Sequence, residues 1–232
     1  MADQTPQQTD SRKCATAVLL DNSASMCLEE MYTNVKRMGL ALHSLIRREY
    51  PGDLLRFIEV CTFAKLLQAG EVATLMPKQF ILFDPVVRLK VYMSDERVSE
   101  SQIQPHFTNI QHGLQLARQW LADQDTLKRQ IILITDGLPT AHFEGKYLYM
   151  LYPPNARTGE ATLREGQICR REGITINTIL LQHRWRSSED AQFAQKLSES
   201  TNGRVFFTTS NDLDCFEVCE NFKRWREMLS EV

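Results

Sequence analysis

Two short runs constrain this chain more than anything else in it. "TAVLL" (residues 16–20) and "IILIT" (residues 131–135) are unbroken stretches of apolar or β-branched residues, and each stops at an aspartate, Asp21 and Asp136. A run of this length with no polar alternation suits a strand covered on both faces, because neither face has to meet water. After the first run the period changes. Leu28, Met31, Val35, Met38, Leu42, Leu45 and Ile46 recur at helical spacing until Pro51-Gly52 ends the segment.

The rest of the chain continues that exchange of periods. "LLRFIEVCTF" and "AKLLQAG" lie too close together for a helical crossover, so they are expected to pair antiparallel. "TNIQHGLQLARQWLADQ" opens on a Thr-Asn cap and runs as an amphipathic helix. "EATLREGQICRREG" reads as a helix closed by Gly173, "ITINTILL" as a strand, and "SEDAQFAQKLSEST" as a helix capped by Ser188. "RVFFTT" is then a strand and "NDLDCFEVCENFKRWREML" the closing helix.

Strand–helix–strand units joined by right-handed crossovers predict an α/β fold: a doubly wound, mainly parallel six-stranded sheet with one antiparallel edge strand. The 232 residues suit one large domain, residues 13–232, after a polar tail over 1–12 that is expected to be disordered. Residues 71–107 exceed what the alternation requires. They contain "ILFDPVVRLKVYM", strand or hairpin material, and read as an ordered insertion.

The formal net charge is −2, which gives no electrostatic reason to expect nucleic acid or an anionic membrane as partner. No apolar run reaches the roughly 18 residues that span a bilayer, and the first residues lack the basic-then-apolar order of a secretory signal. The six cysteines form no CxxC pair, so reduced thiols and a cytoplasmic setting are expected. Cys215 and Cys219 are four apart on the last helix, where helix packing explains them better than a metal does.

In an open parallel sheet, ligands gather at the carboxyl ends of the strands. If the two apolar runs are central neighbours, Asp21 and Asp136 face one crevice. Ser23 and Ser25 follow on the same turn, and Thr108 opens the next helix but one. All five offer hard oxygen, a donor set that selects Mg²⁺, or Mn²⁺ or Ca²⁺, over zinc and copper. The plainer reading of each piece stays open: Asp21 and Ser23 as helix caps, Asp136-Gly137 as a turn.

Asp21-x-Ser23-x-Ser25-Met26, Thr108 and Thr135-Asp136-Gly137 together resemble the metal-ion-dependent adhesion site of von Willebrand factor A (vWA) domains, whose fold is Rossmann-like. The resemblance runs from about Lys13 to the last helix. It implies that Ser23 and Ser25 ligate the ion directly and that Thr108 and Asp136 exchange direct and water-mediated roles. Asp21 would act through waters. It also implies that the open position takes an Asp or Glu from a partner protein.

Within that family the chain is similar to intracellular bacterial members that work beside AAA+ ATPases of the MoxR or magnesium-chelatase type. His142, Tyr149 and Tyr152, in what reads as a loop after Asp136, and Trp185 beyond the next strand are candidates for an aromatic partner rim. No catalytic residues are assigned and no enzyme is expected. The alternatives are a Mg²⁺-dependent hydrolase using Asp21 and Asp136, or a structural domain with a vestigial site.

Overall fold

A computed structural model of the chain describes residues 13–78, 86–182, 187–208 and 214–229. The order of elements is β1 (Cys14–Asp21), a 3-10 turn (Ala24–Glu30), α1 (Met31–Glu49), β2 (Leu54–Val60), β3 (Lys65–Leu67), α2 (Ala69–Val72) and β4 (Val87–Tyr92). Then come α3 (Ile110–Ala122), β5 (Lys128–Thr135), β6 (Ala141–Glu144), β7 (Tyr147–Tyr152), α4 (Ala156–Arg171) and β8 (Ile174–Leu180). α5 (Ser188–Glu199), β9 (Val205–Phe207) and α6 (Asp214–Met228) complete the fold.

The main sheet has six strands in the order β3-β2-β1-β5-β8-β9, all parallel except β3, which pairs antiparallel with β2. β1 and β5 are therefore central neighbours, the condition under which Asp21 and Asp136 face one crevice. Every residue of β1 is buried, and its alternate side chains go to different cores. Val18 and Leu20 join Ile132 and Ile134 of β5 under α1 and α6. Ala17 and Leu19 join Ile131 and Leu133 under α3, with Leu197 of α5. Complete burial of a leucine stabilises by about 1.5–3 kcal/mol, so a strand with no polar position is the economical choice when both faces are covered.

Three expectations about elements are corrected. The helix expected from Leu28 begins at Met31, because Leu28 (ψ 138°) and Glu29 (φ 50°) break the turn before it. Ser187, not Ser188, caps α5: its hydroxyl accepts from the Asp190 backbone N–H while the Asp190 carboxylate accepts from Ser187. The segment after Asp136 is not a loop. It forms the hairpin β6–β7, which pairs with β4 of the insertion in a second, three-stranded antiparallel sheet in the order β4-β7-β6.

The small sheet has a core of its own, built from Val87, Leu148, Met150, Ala141 and Phe107. Thr108 ties it to the site. Thr108 donates its backbone N–H to the Thr140 hydroxyl (2.9 Å), and its carbonyl accepts from the N–H groups of Thr140 (2.9 Å) and Ala141 (3.0 Å). Among the described residues no helix is long and apolar enough to cross a membrane. All six cysteines are free thiols. The polar tail over 1–12 lies outside the described residues.

Candidate functional site

The carboxyl ends of β1 and β5 deliver Asp21 and Asp136 to one place, and burial decides their electrostatics. Asp21 is 1% exposed and Asp136 8%. Burial, then repulsion from Asp136, pushes the Asp21 carboxyl up from 3.8 to about 7. Burial likewise raises Asp136, with Asp190 adding to it, while a hydrogen bond from Ser25 draws it back. Loss of water is the larger cause for both carboxyls, and a neighbouring carboxylate adds to each, Asp136 for Asp21 and Asp190 for Asp136.

The local hydrogen bonds orient Asp21 fully. Its Oδ2 accepts from the Thr135 hydroxyl at 2.6 Å, and its Oδ1 accepts from the Ser23 backbone N–H at 3.0 Å. Ser23 and Ser25 stand two apart on the turn, and their hydroxyl oxygens lie 3.1 Å from each other. Asn22, between Asp21 and Ser23, is buried and donates to Glu59 (2.7 Å) and to the Met76 carbonyl (2.8 Å). That tether, with Asn22 N–H to Val60 O at 2.8 Å, fixes the turn to β2.

Ser25 and Thr108 line one cavity of about 220 Å³, whose other walls include Leu28, Phe107, Thr140 and Tyr152. Asp21 and Ser23 adjoin this cavity through Ser25, Ser25 also bonds Asp136, and Ser25 and Thr108 line the cavity itself. Among the described residues no group of three or more His, Cys, Asp or Glu side chains forms a softer alternative. The donor set fits a hard divalent ion. Its hydroxyls add no charge, and a cation between the aspartates would relieve their repulsion.

The aromatic rim is largely corrected. His142 is fully buried, its Nδ1 3.1 Å from the Thr158 hydroxyl, its Nε2 3.3 Å from Glu144 and its ring stacked on Tyr149 at 5.0 Å. Burial lowers its pKa, so it is a neutral strut between β6 and α4. Tyr149 is buried too, with the Arg157 guanidinium 4.2 Å from its ring centroid. Strand alternation puts both side chains on the face that α4 covers. Tyr152 is 36% exposed and remains at the cavity mouth. Trp185 lies outside the described residues.

Sequence reasoning missed Asp190. Its Oδ1 accepts from the Leu138 N–H at 3.2 Å, and a Cβ on Gly137 would stand only 2.5 Å from it. The glycine after Asp136 is there to let that carboxylate approach. The Ser187…Asp190 capping box was the available signal, but it sits in a distant part of the chain.

A family model described as the vWA domain of Rv0959-like proteins matches residues 14–222. The chain belongs to that vWA family. Curated relatives include the uncharacterized proteins Rv0959 of Mycobacterium tuberculosis and Mb0984 of Mycobacterium bovis, each 27% identical over 206 residues. Those matches cover 85% of this chain but 26% of the relatives, so the chain spans about a quarter of their length.

Solved structures share the vWA fold at low identity. The vWF domain of the pilus tip protein Mfa5 from Porphyromonas gingivalis superposes with a TM-score of 0.60 at 12% identity, covering 91% of this chain and 95% of that one. BatB from Bacteroides thetaiotaomicron gives 0.58 at 14%, with 92% and 99% covered. A von Willebrand factor type A protein from Catenulispora acidiphila gives 0.57 at 15%, with 94% and 42% covered.

Proposed function

We propose that this vWA domain is a divalent-metal-dependent protein-binding module. Mg²⁺, with Mn²⁺ or Ca²⁺ as substitutes, would be held by Asp21, Ser23, Ser25, Thr108 and Asp136. Once bound, the ion supplies an open coordination position that an Asp or Glu of a partner protein can fill. One observation carries the reading: two buried aspartates stand at the carboxyl ends of the central strands, beside the hydroxyls of Ser23 and Ser25, with Thr108 lining the same cavity as Ser25.

The chain's own residues divide the work. Thr135 and the Ser23 N–H hold Asp21 in one orientation, and Asp190 holds the Asp136-Gly137-Leu138 turn. Leu28, Phe107 and Tyr152 give the cavity an apolar wall against which the partner's neighbouring side chains would lose water. A lone carboxylate–Mg²⁺ contact in water is weak, so that wall would supply much of the affinity and the ion the selection for an acid.

The hydrolase alternative fits the geometry less well. Both oxygens of Asp21 accept hydrogen bonds from Thr135 and Ser23, and His142, with the Thr158 hydroxyl beside it, is fully buried between β6 and α4, closed to a substrate. A partnership with an AAA+ ATPase of the MoxR or magnesium-chelatase type belongs to the same proposal, and its support is the sequence resemblance. Capture of proteins from a host lysate on immobilised chain tests both parts. Captured protein should be released by chelator and absent with Asp136→Ala, and an AAA+ ATPase should be among it. A capture pattern indifferent to chelator would contradict the metal-dependent reading.

A further inference from the structure

We propose that a second site, at the opposite end of the sheet from the candidate metal crevice, binds a small organic anion with an apolar body. A cavity of about 590 Å³ opens there, where β5 and β8 begin and α6 ends. That volume lies inside the roughly 300–1,000 Å³ range of small-molecule sites. The metal crevice uses the other ends of the same strands, so the two share no residue.

The chemistry of the walls selects the ligand. Ile174, Trp225, Met228 and Leu229 make an apolar lining, and Leu127 stands at its edge 87% exposed. An isolated leucine so bare is ordinary, but one beside an apolar cavity extends it. Three cations surround that lining: Lys128 at the start of β5, Arg170 in the last turn of α4 and Arg204 just before β9. No carboxylate lines the cavity, and among the described residues none of the three cations is in an ion pair.

Several other cations of this chain are held in ion pairs. Arg118 is bridged by Glu165 and Glu172, Arg226 by Asp53 and Arg157 by Glu144. Here three cations converge on one apolar cavity that no carboxylate lines. Two arginines can offer a carboxylate or sulfonate their planar donors while the apolar body loses its water inside. Polar floor groups are already used: the Asn177 Oδ1 accepts from the Arg204 N–H at 3.0 Å and its Nδ2 donates to Gln130. The floor thus leaves the cation rim as the determinant of sign.

The test uses the full chain with 8-anilinonaphthalene-1-sulfonate as fluorescent probe and the uncharged N-phenyl-1-naphthylamine as its neutral counterpart. One sulfonate probe should bind per chain, decanoate should displace it and decanol should not. Arg170→Ala and Arg204→Ala should each weaken the probe roughly tenfold, the loss of one charge-assisted contact. Both positions are exposed, and circular dichroism checks that the variants stay folded. Arg204→Glu should abolish binding. The proposal is overturned by equal binding of the neutral probe, by no saturable binding, or by folded variants that bind as the parent does. Displacement by an acidic peptide but not by decanoate would also overturn it, in favour of a protein partner.

Discussion

Replacing Asp21 by asparagine should make the metal-free protein more stable, and more so at high pH. The Asp21 carboxyl is pushed from 3.8 to about 7 by burial and by Asp136. Below pH 3.8 both folded and unfolded chains carry the proton, and the shift costs nothing. As the pH rises past 3.8 the unfolded chain ionises while the folded one stays protonated, so stability falls. The loss is complete above about pH 7, where both states are ionised. The interval spans about three pH units at 1.36 kcal/mol each, a ceiling of ~4 kcal/mol.

Asparagine has no such titration. Its carbonyl can still accept from the Ser23 N–H, and the Thr135 hydroxyl can accept from its amide. The variant's advantage over the parent should therefore widen by ~3 kcal/mol between pH 5 and pH 8, the part of the shift that lies above pH 5. Urea unfolding of both proteins in chelator, at the two pH values, measures the difference directly. An advantage that is the same at both, or an asparagine variant less stable than the parent at pH 8, would refute the reasoning.

Other outcomes follow from the same structure. Added Mg²⁺ should raise the melting temperature more at pH 8 than at pH 5.5, because the raised Asp21 and Asp136 carboxyls must shed protons before they hold an ion; thermal melts at matched ionic strength check this. Gly203→Ala should cost ~3 kcal/mol or more in urea unfolding, since its Cβ would stand 1.8 Å from the Ile176 carbonyl oxygen of the backbone, which cannot swing aside. Tyr152→Ala should weaken partner capture several-fold while leaving its dependence on metal unchanged, a combination that capture in graded Mg²⁺ would reveal.

The main sheet was legible because its strands are the simple case. An all-apolar run has only one comfortable place, the covered middle of a sheet, and two of them ending in aspartate made Asp21 and Asp136 companions on the condition, met in the structure, that β1 and β5 are neighbours. The hydroxyls of Ser23 and Ser25 were legible for the same reason, being tied to the end of β1 by a short turn, whereas Thr108, just before α3, entered through the family resemblance. The second sheet was not. β4 finds its partner β7 only across α3 and β5, and no local pattern announces so distant a pairing.

That omission explains the error over the rim. Read as loop residues, His142 and Tyr149 looked free to reach a partner. As strand residues they alternate onto the covered face, where Thr158 and Arg157 of α4 meet them. Asp190 escaped notice because its role depends on α5 coming to rest beside Gly137, a tertiary fact that a capping motif on α5 does not contain.

A titration with Mn²⁺, followed by the loss of its free-ion paramagnetic resonance signal, tests the central claim most directly. One Mn²⁺ should bind per chain near neutral pH, Mg²⁺ should compete for the same position, and Asp136→Ala and Ser23→Ala should remove it while the chain stays folded. Full retention of Mn²⁺ by those folded variants, or a parent chain that leaves all the Mn²⁺ free, would contradict the assignment of Asp21, Ser23, Ser25, Thr108 and Asp136 as a metal centre.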